Sequence, residues 1–196
     1  MTNLVLESLR RLVQDLGAIE ARWALIGGFA VSARAEPRFT RDVDVSVLAD
    51  GDEEAEQVVA ALGRLGYTII AIVEQEETGR LATVRLASPL PGGVLVDLLF
   101  GSSGIEPELI AEAEALKLVP DLVVPVAPSP HLVVLKLLAR DDAVRPQDAA
   151  DLVALRATLS AADEADVRRL AALVVERGFH RNRDLVGLAA VYLSGH

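Results

Sequence analysis

The chain has 196 residues, 52% of them apolar and 4% aromatic, and a formal charge of −10 from 19 basic and 29 acidic side chains. That length fits one domain, or one domain with a helical extension, with a core of Leu, Val, Ala and Ile, and the apolar share excludes extensive disorder. The acidic balance argues against a broad nucleic-acid surface held by phosphate neutralisation, and the absence of cysteine excludes disulfides, zinc-thiolate sites and thiol nucleophiles.

Asn3 to Leu16 reads as an amphipathic helix with Glu7, Arg10, Arg11 and Asp15 on its polar side, and it lacks the basic and apolar regions of an export signal. Trp23 to Ile26 is a short strand; Gly27-Gly28 forms the turn after it, and Phe29 to Ala33 opens a helix. A loop with Pro37 leads to a strand over Val43 to Leu48. Asp50-Gly51 ends that strand, and Asp52 caps a helix running to about Leu65. Three strands follow, Tyr67 to Val73, Leu81 to Ala87 and Val94 to Phe100, connected as in a partly antiparallel sheet.

From Ile105 the pattern turns helical, with a strand-like interruption at Leu122 to Val126. Further helices are expected at about Pro130 to Ala139, Pro146 to Leu159, Glu164 to Arg177 and Asp184 to Leu193. The fold class is therefore α/β, or α+β: a mixed, partly antiparallel sheet flanked by helices, with residues 1–126 as the core and 127–196 as a C-terminal helical region. The apolar run LVVPVAPSPHLVVLKLLA is broken by three prolines, a histidine and a lysine, so it falls short of a membrane span, and a soluble, cytoplasmic protein is expected.

The stretch TRDVDVSV sets Asp42 and Asp44 two residues apart in a strand, on the same side and about 6.6 Å apart along it. That spacing lets both reach one metal ion or a pair, and Mg²⁺ is commonly held by one or two carboxylates plus substrate phosphates. The plainer reading is the solvated face of an exposed strand. Asp97 stands inside VLVDLLF, where a buried carboxylate needs either a salt bridge or a cation shared with the other two acids. Gly27-Gly28, between strand and helix, allows backbone to approach a phosphate, or serves only as a tight turn.

Other motifs fail on details. An EF-hand starting at Asp42 needs glycine where Val47 stands, and no GxGxxG, P-loop, HExxH or G-x-S-x-G pattern occurs. Arg168, Arg169, Arg177, Arg181 and Arg183 cluster against the single Glu176 between Val167 and Arg183, as a solvated helical face or as a local basic patch.

The run LIGGFAVSARAEPRFTRDVDVSV, with thirteen residues between Gly28 and Asp42, resembles the signature of the nucleotidyltransferase superfamily, the DNA polymerase beta-like group. The later run HLVVLKLLARDDAVRPQDAADL resembles the abortive-infection, AbiEii-like type IV toxins of that superfamily, with Lys136, Arg145, Asp148 and Asp151 in the matching places. Two departures stand out: Gly28 replaces a frequent serine, and Gln147 stands where a basic residue is frequent.

The resemblance implies a nucleotidyltransferase fold and a Mg²⁺-dependent enzyme, with two ions, that moves NMP from an NTP to an acceptor hydroxyl and releases pyrophosphate. Asp42, Asp44 and Asp97 would be the catalytic metal ligands, Asp97 nearest the acceptor. Gly27, Gly28, Thr40, Arg41, Lys136 and Asp148 would bind the nucleotide. Lys136 read bare is a snorkelling lysine, and Asp148 a first-turn helix carboxylate. The acceptor implied is RNA or tRNA, touched by Arg177, Arg181 and Arg183, with an antitoxin protein as partner. The rivals are an aminoglycoside-type enzyme, which the negative charge suits, and a noncatalytic nucleotide- or partner-binding member.

Overall fold

The alternating valines of the acid-bearing strand place it at the centre of the molecule. In the computed structural model, which describes residues 4–75, 79–140 and 146–195, this strand is β2 (Asp42–Leu48), and Val43, Val45 and Val47 are fully buried. It is flanked by β1 (Arg22–Ile26), antiparallel, and β5 (Leu95–Phe100), parallel. Outward from β5 lie β4 (Leu81–Ala87) and β3 (Thr68–Glu74), both antiparallel steps; outward from β1 lie β7 (Leu122–Val126), parallel, and β6 (Glu114–Val119), antiparallel to it. The order β3-β4-β5-β2-β1-β7-β6 makes one mixed sheet.

Helix α1 (Leu4–Ala18) lays Leu9, Leu12 and Leu16 on the core and packs on β2. The short helix α2 (Gly27–Arg34) leaves β1 directly, and α3 (Asp52–Arg64) and α4 (Glu106–Ala111) pack on β4 and on β1 and β2. The C-terminal helices are α5 (Ser129–Ala139), α6 (Pro146–Arg156), α7 (Ala161–Glu176) and α8 (Leu185–Ser194). Helix α5 is buried on nearly all sides, consistent with its continuous apolar run, because α2, α6, α7 and α8 surround it. Among the described residues no helix is long and apolar enough to cross a membrane.

Three local expectations are corrected. Helix α2 starts at Gly27 itself, so the glycines are the first residues of the helix rather than a turn before it. Asp52 is not the cap of α3: Gly51 holds that place, and Asp52 Oδ1 instead accepts from the Leu81 N–H at 3.2 Å. Glu114–Val119, read as helical, is strand β6. Its Glu, Ala, Leu and Lys favour helix intrinsically, but the hairpin register with β7, from Glu114 opposite Val126 to Val119 opposite Leu122, overrides that preference.

One buried group has a pH signature. His131 on α5 is wholly buried, with no hydrogen-bond partner on either ring nitrogen among the described residues, and burial, with Arg169 nearby, pushes the imidazole down to about 4. The ring is therefore neutral at pH 7, and its 3.8 Å approach to Glu112 is no ion pair. An unfolded histidine takes its proton near pH 6.5, so between about 6.5 and about 4 the unfolded state binds more protons and stability falls as pH is lowered. Lowering pH from about 7 to about 5 is expected to cost about 2 kcal/mol through this residue. In His131→Leu the thermal midpoint should depend less on pH over that range; an unchanged dependence would refute the assignment.

Candidate active site

Strand register assembles the acids. Asp44 stands opposite Asp97 across the parallel β2–β5 pair, Arg85 stands opposite Asp97 across β4–β5, and Ile26 opposite Asp44 across β1–β2. Asp42 lies two residues before Asp44 on the same face, so the carboxylate oxygens of Asp42, Asp44 and Asp97 come within 4.8 Å of one another. Asp42 and Asp44 are half-buried and Asp97 is buried.

Arg85 grips Asp97 with two hydrogen bonds, Nε to Oδ1 at 2.7 Å and Nη2 to Oδ2 at 2.6 Å. That bond, with the charges of Asp97, Asp42 and Asp44, raises the guanidinium further above its ordinary value. The sequence set a salt bridge against a shared cation as rival explanations of Asp97. The structure supplies the salt bridge and clusters the three acids as well. Three hard carboxylate donors facing one opening fit Mg²⁺ by donor chemistry, and like charges this close repel unless a cation joins them.

The glycines make room for this cluster. Gly27 has a φ of +63°, and a Cβ there would run into the Asp44 carboxylate. Gly28 lies under Thr40 and Arg38: a Cβ would stand 2.7 Å from Thr40 Oγ1 and 2.9 Å from Arg38 Nη2. That crowding gives a physical reason for glycine where serine is frequent. Gly27→Ala is expected to cost roughly 1–2 kcal/mol of stability through the left-handed backbone and, by displacing Asp44, to lower transfer about a hundredfold. Steady-state rates beside a thermal midpoint check it; full activity would show that Asp44 tolerates the shift.

A second polar cluster closes the site from the helical side. Lys136 Nζ lies 2.7 Å from Asp148 Oδ1 and 2.7 Å from Asp151 Oδ2, and Arg38 binds the same Asp151 through Nε at 2.6 Å and Nη2 at 2.8 Å. Lys136, Asp148 and Asp151 are all buried. Asp148 Oδ2 is buried with no hydrogen-bond partner among the described residues. Thr40 donates to Asp42 Oδ1 at 3.3 Å.

The three acids line one cavity of about 680 Å³ together with Arg38, Lys136 and Asp148 of the second cluster. The structure brings together on its wall Gly27, Gly28, Thr40, Arg41, Asp42, Asp44, Asp97, Lys136 and Asp148, the candidates the resemblance implied for metal and nucleotide. Arg145 lies outside the described residues. The arginines considered for RNA have partners within the chain: Arg177 is bonded to Glu108 and the Gly104 carbonyl, and Arg183 to the carbonyls of Leu137 and Arg140. Arg181 lines the cavity, with Nη2 donating to the Ser102 carbonyl at 2.9 Å.

Sequence reading missed Arg85, Arg38 and Asp151 as site components. Arg85 was within reach of it, since Thr83 and Arg85 alternate with buried Ala82, Val84 and Leu86 and so share a polar face. Asp151 was matched to a motif but given no partner, because Arg38 is 113 residues away.

The family model described as Nucleotidyl transferase AbiEii toxin, Type IV TA system matches residues 10–193. Among solved structures, the chain is similar to an antigenic nucleotidyltransferase-like protein from Paracoccidioides brasiliensis, at 14% identity and a TM-score of 0.57 over 97% of this chain and 94% of that one. It is similar to the antibiotic-resistance factor ANT(2'')-Ia in solution, at 16% identity and a TM-score of 0.54, covering 100% of this chain and 92% of that one. The same factor in complex with adenylyl-2''-tobramycin matches at 16% identity and a TM-score of 0.52, over 99% of each chain. At these identities the likeness is one of fold. No curated protein matches the sequence.

Proposed function

This chain belongs to the AbiEii family of nucleotidyltransferase toxins of type IV toxin-antitoxin systems, and from that premise we propose that it moves NMP from an NTP to a hydroxyl of RNA or tRNA, in a Mg²⁺-dependent reaction. That it is a nucleotidyltransferase follows from the family; the metal, the acceptor, an antitoxin partner and a cytoplasmic setting are our reading. The observation that carries it is the convergence of Asp42, Asp44 and Asp97 in the same cavity as Lys136.

Asp42, Asp44 and Asp97 would hold the metal, which when bound offsets phosphate charge and aligns the reacting oxygens. The chain's own groups supply the rest. Lys136 has three N–H donors, two of them directed at Asp148 and Asp151, so the third remains for the triphosphate. Gly27 and Gly28 start α2, whose N-terminal N–H groups favour an anion. Asp148, bonded to Lys136 Nζ at 2.7 Å on the cavity wall, would orient that ammonium toward the nucleotide. Arg85 orients Asp97, which takes the acceptor proton as the hydroxyl oxygen bonds the α-phosphorus and the bond to pyrophosphate breaks. Residues 1–126 carry the acids in this scheme, and 127–196 bring Lys136 and Asp148 to the nucleotide.

A second reading, an aminoglycoside-type acceptor, is favoured by the net charge of −10, which attracts cationic small molecules. The test is incubation of the purified protein with Mg²⁺, each of four labelled NTPs and total cellular RNA, with Asp44→Ala beside it. Label in RNA that depends on Asp44 supports the RNA acceptor and names the nucleotide. Label that enters an added aminoglycoside and not RNA supports the second reading.

A further inference from the structure

Phe39 is 77% exposed, more than any other large apolar side chain among the described residues. Exposing a ring of that size gains nothing for folding. The backbone around it is nevertheless held. Arg38 N–H donates to Ser32 Oγ at 3.2 Å, the Arg38 guanidinium is fixed on buried Asp151 and also donates to the Phe39 carbonyl at 3.1 Å, and Thr40 is packed over Gly28 and bonded to Asp42. A pinned loop thus presents an unburied aromatic ring.

Phe39 is among the residues that line the cavity holding the acid cluster and Lys136. Apolar side chains of α5, Leu132, Leu135 and Ala139, line it too. The cavity therefore combines groups suited to a charged, metal-bound triphosphate with groups suited to a flat apolar body, the two parts of a nucleoside triphosphate. We propose that Phe39 is the platform on which the base of the incoming NTP stacks. The inference rests on the NTP reading above and adds to it a residue outside the acid, glycine and lysine motifs. Because every base has a π-face, the platform supplies affinity for all four NTPs and leaves base choice to other contacts.

The experiment is calorimetric titration of the full-length protein, in Mg²⁺, with each of the four NTPs and with inorganic tripolyphosphate, for wild type, F39A, F39L and F39W. Wild type is expected to bind NTPs more tightly than tripolyphosphate. F39A and F39L should weaken all four NTPs about tenfold and leave tripolyphosphate unchanged, while F39W keeps wild-type affinity. The indole introduced by F39W should be quenched by NTP and not by tripolyphosphate, measured against the Trp23 emission of wild type. If F39A binds NTPs as wild type does, the platform is overturned while the NTP reading stands. Equal weakening of NTPs and tripolyphosphate overturns it as well, since the loop and not the ring would then be responsible. Wild-type protein that binds neither compound removes the NTP reading and the platform with it.

Discussion

Asp44→Ala is expected to lower nucleotide transfer about a thousandfold or more, the largest effect of any single change in this protein. Asp44 is one of the two inner members of the row in which β4, β5, β2 and β1 present Arg85, Asp97, Asp44 and Ile26 in register. Losing its carboxylate removes one of three acids whose oxygens lie within 4.8 Å of one another. Asp44→Asn, which keeps the size of the side chain, should lose as much activity, separating charge from packing. Its stability should move in the opposite direction. Three clustered carboxylates repel, so without Mg²⁺ the thermal midpoint of Asp44→Asn should equal or exceed that of wild type. Added Mg²⁺ should raise the midpoint of wild type more than that of the variant. A variant that retains full transfer, or that melts well below wild type without the ion, would show Asp44 to be a structural acid.

Asp151→Ala is the change expected to cost most stability. Asp151 is 1% exposed and bonds Arg38 twice and Lys136 once, so its removal leaves buried Lys136 with Asp148 as its remaining carboxylate partner among these groups. Removing one member of a buried ionic cluster costs about 3 kcal/mol or more, equivalent to about 10 °C in the midpoint for a chain of this size. Transfer should fall too, because the same carboxylate holds the Arg38 end of the loop that carries Phe39 and Thr40. Combining Arg38→Ala with Asp151→Ala should cost less than the two single losses added together, since each removes the same bonds. A midpoint shift under about 3 °C for Asp151→Ala would mean that the cluster does not hold the helical region to the sheet.

Much of this was legible without coordinates, for reasons that are local. A strand has a period of two, so TRDVDVSV by itself put Asp42 and Asp44 on one face and Val43, Val45 and Val47 on the other, as observed. The apolar surroundings of Asp97 marked it as a carboxylate in need of a partner. The family motifs led to Lys136 and Asp148, and both line the cavity with the acids. Composition misled where local preference and pairing disagreed, as at Glu114–Val119, where a helix-favouring stretch is a strand because β7 offers it a hairpin partner.

Periodicity along the chain is set by neighbouring residues, and the sequence therefore determined which side chains share a face. Which face meets which depends on strand register and on contacts between distant segments, and these only the tertiary structure decided. The parallel pairing of β2 with β5 turned three separate acids into a cluster; the antiparallel pairing of β4 with β5 chose Arg85 as the partner of Asp97. The packing of α6 against α2 brought Asp151 to Arg38 across 113 residues. Burial then made those charges choose partners, because an ion withdrawn from water must find its counter-charge wherever the fold supplies one.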